Sequence, residues 1–561
     1  MNHARSGSIR QSQRLRGFGF GLNLLAWILV SLSSSALANV YPTKLQLNGG
    51  YGSLLLTAGE DVVISYVLNE PASAGVTIII RSNTTAFRTI TLSSGEAGTM
   101  RGHNQIVWNG NDDTNLPFSP GTYSIHVTAA SLGHAEWSPI PSNNPDGSNY
   151  IYAPTGIAVN RNPSSPHYGR VFVANAIANP GGFLRPGDGV GLIKANADGS
   201  LAEEGGFSDG GWPWAGDFYS PWKVEVSADD FVYVNDWTTN GIVLRFDQEV
   251  SPASRKMILR PDNWPNLGQA VLAGPAIAGN GANIQIWMAD ITPAPEGVGI
   301  RRFALSPDGS IASDDLGATA VQTGGDSDLT DFPYDVALDG SNRIYTIQFE
   351  TRDGYPNNRV LRFPAHANGH PPLTNADWKI GSGDNNLRSA YGISVSADGG
   401  LVAVALGGVG SGITRSGGGV RVFNTTNGAE VVSLSPVTPA SWHDHTDVAW
   451  DSVGNLYACD FEGAVWRAYS PPGSNYATTV ALAHVQILGP LEPPGLTATG
   501  YEAGEFQFTL CGQAQVTYAI LSSTNLLTWT AVATNTAATA MRTISLPAPA
   551  PFNFFRAVVA P

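Results

Sequence analysis

Short apolar runs alternate with polar turns along this chain, and between residues 140 and 488 one such pattern recurs six times. Each copy opens with a run such as Pro154–Val159, continues with a second such as Val171–Asn175, and adds a third such as Val360–Phe363. Turns containing Gly and Asp separate the runs, as in hairpins. Because the runs are short and rich in Val, Ile and Tyr, the pattern predicts an all-β repeat region.

The six copies open at equivalent positions that lie 54 to 67 residues apart: Pro154, Pro221, Pro275, Pro333, Ala390 and His445. A four-strand unit cannot bury its faces alone, whereas units arranged radially as a β-propeller protect their strand edges. The motif P-x-x-V-A-V, followed by D-x-x-G-x-hydrophobic-Y-V-x-D and then R-F, resembles NHL-repeat propellers and the related gluconolactonase-like propellers. This resemblance implies a six-bladed β-propeller over residues 140–488.

Two smaller β-rich segments flank the repeats. In residues 39–135, the stretch WNGNDDTN…SPGTYSIHV resembles the Ig-like sandwich domain of flagellar hook-capping proteins. A Pro- and Gly-rich linker follows the repeats at 489–496. Residues 497–561 carry the motif F-x-L…Y-x-I-x-S-S-T-N-L…F-F-R-A, which resembles a C-terminal β module common on exported Verrucomicrobia and Planctomycetes proteins. The expected fold is therefore all-β, with a propeller between two sandwich-like domains.

The first 38 residues have the layout of a secretory signal peptide. Four arginines precede a mostly apolar segment over residues 17–32, and Ala36 and Ala38 provide an A-x-A cleavage site. A membrane anchor is the alternative, but the apolar run is short and no second one follows it. We therefore expect a secreted or cell-surface protein without a membrane span.

Composition narrows the choice of partners. Only 13% of the residues are charged and the formal net charge is −15, which argues against nucleic-acid binding by bulk electrostatics. The two cysteines, Cys459 and Cys511, fall in different predicted domains, so we expect buried free thiols rather than a disulfide. A glycan or another protein remains as the expected ligand, and the oligomeric state stays open.

Charged residues occupy the same position in three of the repeat openings. Lys223, Asp335 and Asp447 stand where the first copy has Gly156. If the repeats are radial, these side chains approach the axis together. Polar groups near the mouth of a propeller are candidates for ligand binding or catalysis, although they also need partners of their own.

The last opening has the richest chemistry, with the sequence W-H-D-H-T-D over residues 442–447. His443, His445 and Asp447 could ligate a divalent metal, calcium or zinc, or provide an acid–base pair. The alternative is that these residues cap strand ends and pair with Lys223 or Arg388. A third metal ligand from another blade is not visible in the sequence.

Aromatic residues give a second candidate surface. The members are Trp212, Trp214, Trp222, Trp237 and Trp442. Flat rings beside Asp and Asn can stack on sugars, and the Gly-rich loop around Trp214 is unlike a core strand. The alternative is that the tryptophans fill wedge-shaped gaps between blades.

Two functional hypotheses follow. The first is a recognition protein whose propeller mouth binds a glycan or a protein. The second is a metal-dependent hydrolase, lactonase or lyase acting on carbohydrate, with His443, His445, Asp447 and Asp335 as catalytic residues. Gluconolactonase-like enzymes hold their metal with a Glu, an Asn and an Asp, and no acidic residue lies near Pro154, where that Glu is expected. A purely structural envelope component is the third alternative.

Overall fold

A computed structural model describes residues 39–560, with gaps at 58–60, 118–120, 141–148, 181–188, 238–241, 261–271, 291–298, 307–308, 331–332, 349–358, 381–386, 388, 410–415, 435–443, 487–493, 503–504, 512–516, 537–540 and 548–553. Apart from two 3-10 turns at Pro252–Ser254 and Gly281–Asn283, every regular element in these residues is a strand. The expected all-β class is thus confirmed. No helix in the described ranges is long and apolar enough to cross a membrane.

Seven strands form most of a two-layer sandwich at the N-terminal side. They are β1 (Pro42–Leu47), β2 (Ser53–Thr57), β3 (Val62–Leu68), β4 (Gly75–Ser82), β5 (Thr85–Leu92), β6 (Gly102–Trp108) and β7 (Gly121–His134). One sheet has the order β1-β3-β6, while β7, β4 and β5 lie side by side in the other. Apolar side chains of both sheets, such as Ile64, Trp108 and Ile125, share one buried core.

The next 24 strands form six antiparallel sheets of four. They are β8 (Ser138–Pro139), β9 (Pro154–Val159), β10 (Val171–Asn175), β11 (Gly191–Ala195), β12 (Phe207–Ser208), β13 (Val224–Val226), β14 (Val232–Asp236), β15 (Ile242–Phe246), β16 (Lys256–Leu259), β17 (Leu272–Ala278), β18 (Gln285–Asp290), β19 (Gly299–Ala304), β20 (Ala318–Gln322), β21 (Pro333–Leu338), β22 (Ile344–Gln348), β23 (Arg359–Phe363), β24 (Trp378–Ile380), β25 (Ala390–Val395), β26 (Leu401–Val409), β27 (Ser416–Asn424), β28 (Glu430–Leu434), β29 (His445–Trp450), β30 (Leu456–Asp460) and β31 (Val465–Ser470). Five sheets are each built from four strands consecutive in sequence.

The first strands of the six sheets are neighbours in a closed order. β9 contacts β13, β13 contacts β17, and so on through β21, β25 and β29, which contacts β9 again. Buried clusters of apolar residues then extend from one sheet to the next, as where Tyr233 of β14 joins Met288 of β18. This order places the six repeat openings side by side.

The sixth sheet is completed from the other end of the segment. Its order is β29-β30-β31-β8, so its outer strand precedes the first sheet in sequence. Ser138 and Pro139 pair with Ser470 and Tyr469. The two ends of the 24-strand segment are therefore hydrogen-bonded to each other.

A strand that follows these sheets returns to the N-terminal sandwich. β32 (Gly473–Gln486) lies between β2 and β7 in the five-stranded sheet β2-β32-β7-β4-β5. The sequence pattern had placed residues 473–486 inside the propeller segment 140–488, and that boundary differs from the structure. The physical reason is a period of two: Thr479, Ala481 and Ala483 are buried, and the residues between them face outward, as a sandwich strand requires.

The C-terminal module has two three-stranded sheets. Its strands are β33 (Gly495–Glu502), β34 (Glu505–Cys511), β35 (Thr517–Ser523), β36 (Thr530–Thr536), β37 (Met541–Pro547) and β38 (Phe554–Val559). The sheet orders are β33-β34-β37 and β36-β35-β38, and side chains such as Leu510 and Tyr518 fill a small core. Cys511 at the end of β34 is half-buried and Cys459 in β30 is buried, and both are free thiols.

Candidate functional site

Three charged side chains from alternate sheets meet between the first strands. Lys223 directly precedes β13, Asp335 lies in β21 and Asp447 in β29, and none is more than 5% exposed. Lys223 Nζ is 2.8 Å from Asp447 Oδ1 and 3.6 Å from Asp335 Oδ2. It also donates a hydrogen bond to Thr446 O at 2.6 Å. We call Lys223, Asp335 and Asp447 the axial triad.

Glycines on the strands between them make this close approach possible. Gly156 in β9 and Gly392 in β25 occupy the same strand position as the two triad aspartates. All four residues pair with an equivalent residue on the second strand of their own sheet. A Cβ at Gly156 would stand 2.8 Å from Lys223 Cα, and one at Gly392 would stand 2.7 Å from Asp447 Cα. The two glycines therefore leave the space that the strands carrying Lys223 and Asp447 occupy.

Both oxygens of each triad carboxylate accept a hydrogen bond. Asp447 accepts from Lys223 through Oδ1 and from the Ile157 N–H through Oδ2, at 2.9 Å. Asp335 accepts the Val336 N–H at 2.8 Å and the Ile393 N–H at 3.0 Å. Burial raises the pKa of both carboxyls, to about 6 for Asp447, and the Lys223 ammonium opposes that rise. These groups therefore link neighbouring sheets.

A cavity of about 50 Å³ lies between the first strands, and the three residues of the axial triad form part of its lining. One lining residue from each strand is Ile157, Val224, Ala276, Val336, Ile393 and Val448. Glu225 also lines it, 3.6 Å from Arg161, and burial raises the pKa of Glu225 to about 7. This space suits a few water molecules and is much smaller than an ordinary ligand site.

The histidine-rich segment is only partly visible. Trp442, His443 and Arg388 lie outside the described residues. His445 is buried, and its Nδ1 accepts the Gly419 N–H at 3.1 Å. In the described part of the chain, no three His, Cys, Asp or Glu side chains are grouped so that they could hold a metal ion.

The tryptophans of the Gly-rich loop are directed into the protein. Trp212 Nε1 donates to Asp236 Oδ2 at 3.0 Å, and Trp214 Nε1 donates to Asp209 O at 2.9 Å. Both rings are half-buried against the apolar cluster shared by the first and second sheets. The Arg255 guanidinium covers the Trp212 ring at 5.6 Å. This placement agrees with the gap-filling alternative.

Trp222 and Trp237 belong to a different group, which we call the aromatic end. Both are buried, with ring centroids 5.1 Å apart. Tyr219 lies 4.6 Å from Trp237, and Tyr334 lies 5.3 Å from it. The Trp222 ring also faces Lys223 Nζ at 5.4 Å, which places the aromatic end next to the axial triad.

The aromatic end extends to rings that the sequence did not single out. Tyr334 contacts Tyr391 at 5.5 Å, and Phe218, next to Tyr219, contacts Phe461 at 5.2 Å. Phe218 and Tyr219 are 55% and 43% exposed. The sequence does contain a signal for this aromatic group. Trp222, Tyr334 and Tyr391 each directly precede the axial position of their repeat, so an alignment of the repeats places them together.

Comparison with known proteins first concerns the sandwich. A family model described as the FlgD Ig-like domain matches residues 52–133. The N-terminal region is similar to that family, as the sequence predicted. The matched FlgD Ig-like region spans β2 to β7, and the structure adds β1 and β32 to the same two sheets. No curated protein sequence matches the chain.

Solved structures similar to the chain include several all-β proteins. A calcium structure of the Trichoderma reesei Carbohydrate-Active Enzymes Family AA12 is 12% identical, covers 61% of this chain and 97% of its own, and has a TM-score of 0.37. The Myceliophteria thermophila Cps50 (Swd1) β-propeller domain is 9% identical, covers 77% and 99%, and has a TM-score of 0.32. The Niastella koreensis GH74 enzyme is 11% identical, covers 70% and 56%, and has a TM-score of 0.28. At these TM-scores the likenesses carry no functional argument.

Proposed function

We propose that this protein is an exported, modular recognition protein that binds a neutral glycan at the aromatic end of a six-bladed, NHL-like propeller. The six four-stranded sheets would be its blades, because their first strands contact one another in a closed order and line one cavity. The arginine-rich, apolar leader supports export.

One observation carries the binding proposal: a continuous set of ring contacts ends at the surface. The buried rings of Trp222 and Trp237 hold Tyr219 by edge and tilted contacts, and Tyr334 packs against both tryptophans. Phe218 beside it is supported by Phe461. Exposed rings that are fixed from behind lose little conformational entropy on binding, which suits them to stack on a flat ligand.

A neutral sugar fits the charge and polar groups at this end better than an anionic polymer does. The net charge of −15 repels polyanions. The Asp444 carboxylate and the Tyr391 ring both approach the place that a side chain at Gly407 would occupy, so an acceptor group lies beside an aromatic ring. Rings with nearby carboxylates offer stacking and hydroxyl recognition together.

The metal-dependent hydrolase gains no specific support. A metal on Asp447 would compete with the Lys223 ammonium, which already lies between Asp447 and Asp335. Both oxygens of each carboxylate also accept hydrogen bonds. General acid or base catalysis would require a substrate atom within reach of these buried carboxyls.

Binding to an array of neutral and acidic oligosaccharides, followed by titration calorimetry, tests the proposal. We expect neutral glycans to bind, and Phe218→Ala and Tyr219→Ala each to weaken binding by about tenfold, as loss of a stacked ring requires. Tyr501→Ala is the matched control, because Tyr501 is 62% exposed on the C-terminal module. Unchanged affinity in both ring variants would move the binding site elsewhere, and absence of glycan binding by the wild type would refute the proposal.

A further inference from the structure

The edge of β32 is only partly covered by its neighbour in the sandwich. β2 pairs with β32 in parallel from Leu482 to Gln486, and in the described residues no strand pairs with Tyr476–Ala481 on that side. On its other side, β32 is paired with β7 over almost its whole length. In a strand, alternate residues direct N–H and C=O groups to opposite edges, so this six-residue stretch of about 20 Å presents donors and acceptors away from β7.

Open space lies against this uncovered edge. A cleft of about 720 Å³ is bounded by Thr478–Leu482 of β32 on one side. Leu45 and Tyr51 of the sandwich form a second wall, and Pro163–Tyr168 of the loop between β9 and β10 forms a third. Clefts of this size between domains are common ligand sites, and here the walls are mostly apolar.

Exposed apolar side chains flank the same edge. Tyr476, Val480 and Leu482 all lie on the outward face of β32, and Tyr51 stands at the entrance to β2. These side chains would be partly covered by a strand added beside β32. Uncovered strand edges with apolar neighbours favour pairing with another chain.

We propose that this cleft binds an extended peptide segment of a partner protein, which pairs with Tyr476–Ala481 and continues the row that β2 begins. Main-chain hydrogen bonds to β32 would hold the peptide, and its alternate side chains would enter the cleft between Leu45 and Tyr168. The peptide would carry apolar residues at those alternate positions. It would be neutral or basic, because the net charge of −15 disfavours an acidic peptide and Lys44, the charged residue that lines the cleft, is already paired with Glu203.

A phage-displayed library of random peptides, selected on the full chain, provides the probe. We expect enrichment of peptides with alternating apolar residues. Synthetic versions should slow amide hydrogen exchange in residues 476–481, because new hydrogen bonds protect the open N–H groups. N-methylation of alternate peptide residues should abolish binding in one register and spare it in the other, since only one set of peptide N–H groups faces β32.

Two substitutions at positions of similar exposure distinguish specific binding in the cleft from nonspecific hydrophobic binding. Val480→Lys places a charge beside the open edge and should weaken peptide binding by about tenfold or more. Val431→Lys is the control, because Val431 in β28 is 45% exposed and Val480 is 46% exposed. Neither position lies in the aromatic end, so glycan binding should be unchanged in both.

Several results would overturn the proposal. If no peptides are enriched, or if peptides N-methylated in either register still bind, then no peptide pairs with β32 as an added strand. Protection of residues 476–481 in the free protein that disappears on dilution, together with a dimer lost in Val480→Lys, would assign the edge to a second copy of this chain. Displacement of the peptide by an oligosaccharide at these residues would make the cleft a glycan site.

Discussion

The axial triad and the aromatic end are adjacent, yet they use their side chains in opposite ways. Lys223, Asp335 and Asp447 are buried and their polar atoms bind one another or the backbone. Phe218 and Tyr219 each pack against another ring, yet they remain 55% and 43% exposed. Repeat symmetry brings both groups together, so convergence alone does not identify a binding site. In the folded protein the polar atoms of the triad are already bonded to each other or to the backbone, whereas the exposed rings can still contact a ligand.

The triad has a steric origin as well as an electrostatic one. Because Gly156 and Gly392 have no side chains, the neighbouring strands can approach closely and direct their charged residues inward. Desolvation of those charges is then offset by the ion pairs and by backbone N–H donors. We infer that the triad fixes the packing of the six first strands. In the proposed function, the exposed rings of Phe218 and Tyr219 are the part that contacts a ligand.

Lys223→Met should have the largest effect on stability. Removal of the ammonium leaves the Asp335 and Asp447 carboxylates buried with no cation, and breaking a buried pair in this way costs about 3–5 kcal/mol. Chemical denaturation at pH 7 measures the loss. The deficit should shrink as pH falls, because burial raises the pKa of both carboxyls and their protonation removes the unpaired buried charge. Phe218→Ala, in contrast, should change stability by less than about 0.5 kcal/mol.

Lys379→Met is the matched control for the loss of an ammonium. Lys379 pairs with Asp328 at 2.6 Å, but it is largely exposed, so its removal should cost at most about 1 kcal/mol. Equal stability of Lys223→Met and wild type at pH 7 would contradict a structural role for the triad. A large deficit that persists unchanged at pH 4 would show that packing, and not charge, is responsible.

Gly156→Ala should destabilise the protein less, by about 1–3 kcal/mol, through overpacking. Its new Cβ would meet Trp222 O at 2.5 Å and Lys223 Cα at 2.8 Å, and these are backbone atoms that cannot rotate away. Thermal unfolding measures the change. Gly340→Ala is the control, since a Cβ there meets no atom within 4 Å. If the two variants unfold alike, the strands of the ring are not held at this distance.

Sequence patterns predicted the parts of this fold that each repeat encodes locally. The triad was found because Lys223, Asp335 and Asp447 share one repeat position, and their contact follows from the order of the strands. The FlgD-like sandwich was found from turn and strand motifs. In each case the relevant residues lie within one repeat or one hairpin.

Pairings between distant segments could not be obtained in this way. β8 joins β31 across more than 300 residues, and β32 returns to β7 across a similar separation. A local alternation of buried and exposed residues does not indicate which sheet edge a strand will pair with. The loop tryptophans are a related case: Trp212 and Trp214 lie in a Gly-rich segment, and their orientation depends on Asp236 and Asp209, which a local pattern does not indicate.

Asp447→Asn should have the smallest effect at pH 7, because Lys223 keeps Asp335 and Thr446 O as partners, and the change is visible chiefly in the pH dependence of stability. In the native protein burial raises the pKa of Asp447 to about 6, whereas the unfolded group titrates near 3.9. Between these values the native state binds more protons, so the stability that Asp447 contributes falls as pH rises through that window. Asn keeps an oxygen for the Ile157 N–H and carries no charge. The slope of unfolding free energy against pH should become less negative by at most about 1.4 kcal/mol per pH unit.

Asp328→Asn gives the opposite sign and so serves as the control. The hydrogen bond from Lys379 holds the pKa of Asp328 below its ordinary value, so this group stabilises the protein above its unfolded pKa and loses that effect as pH falls. Denaturant titrations of Asp447→Asn between pH 4 and pH 6, and of Asp328→Asn below pH 4, compare the two slopes in the range where each group titrates. Slopes that shift in the same direction would mean that Asp447 is not held as a buried, desolvated carboxyl. The contrast between a closed triad and an open aromatic end would then lose its electrostatic basis.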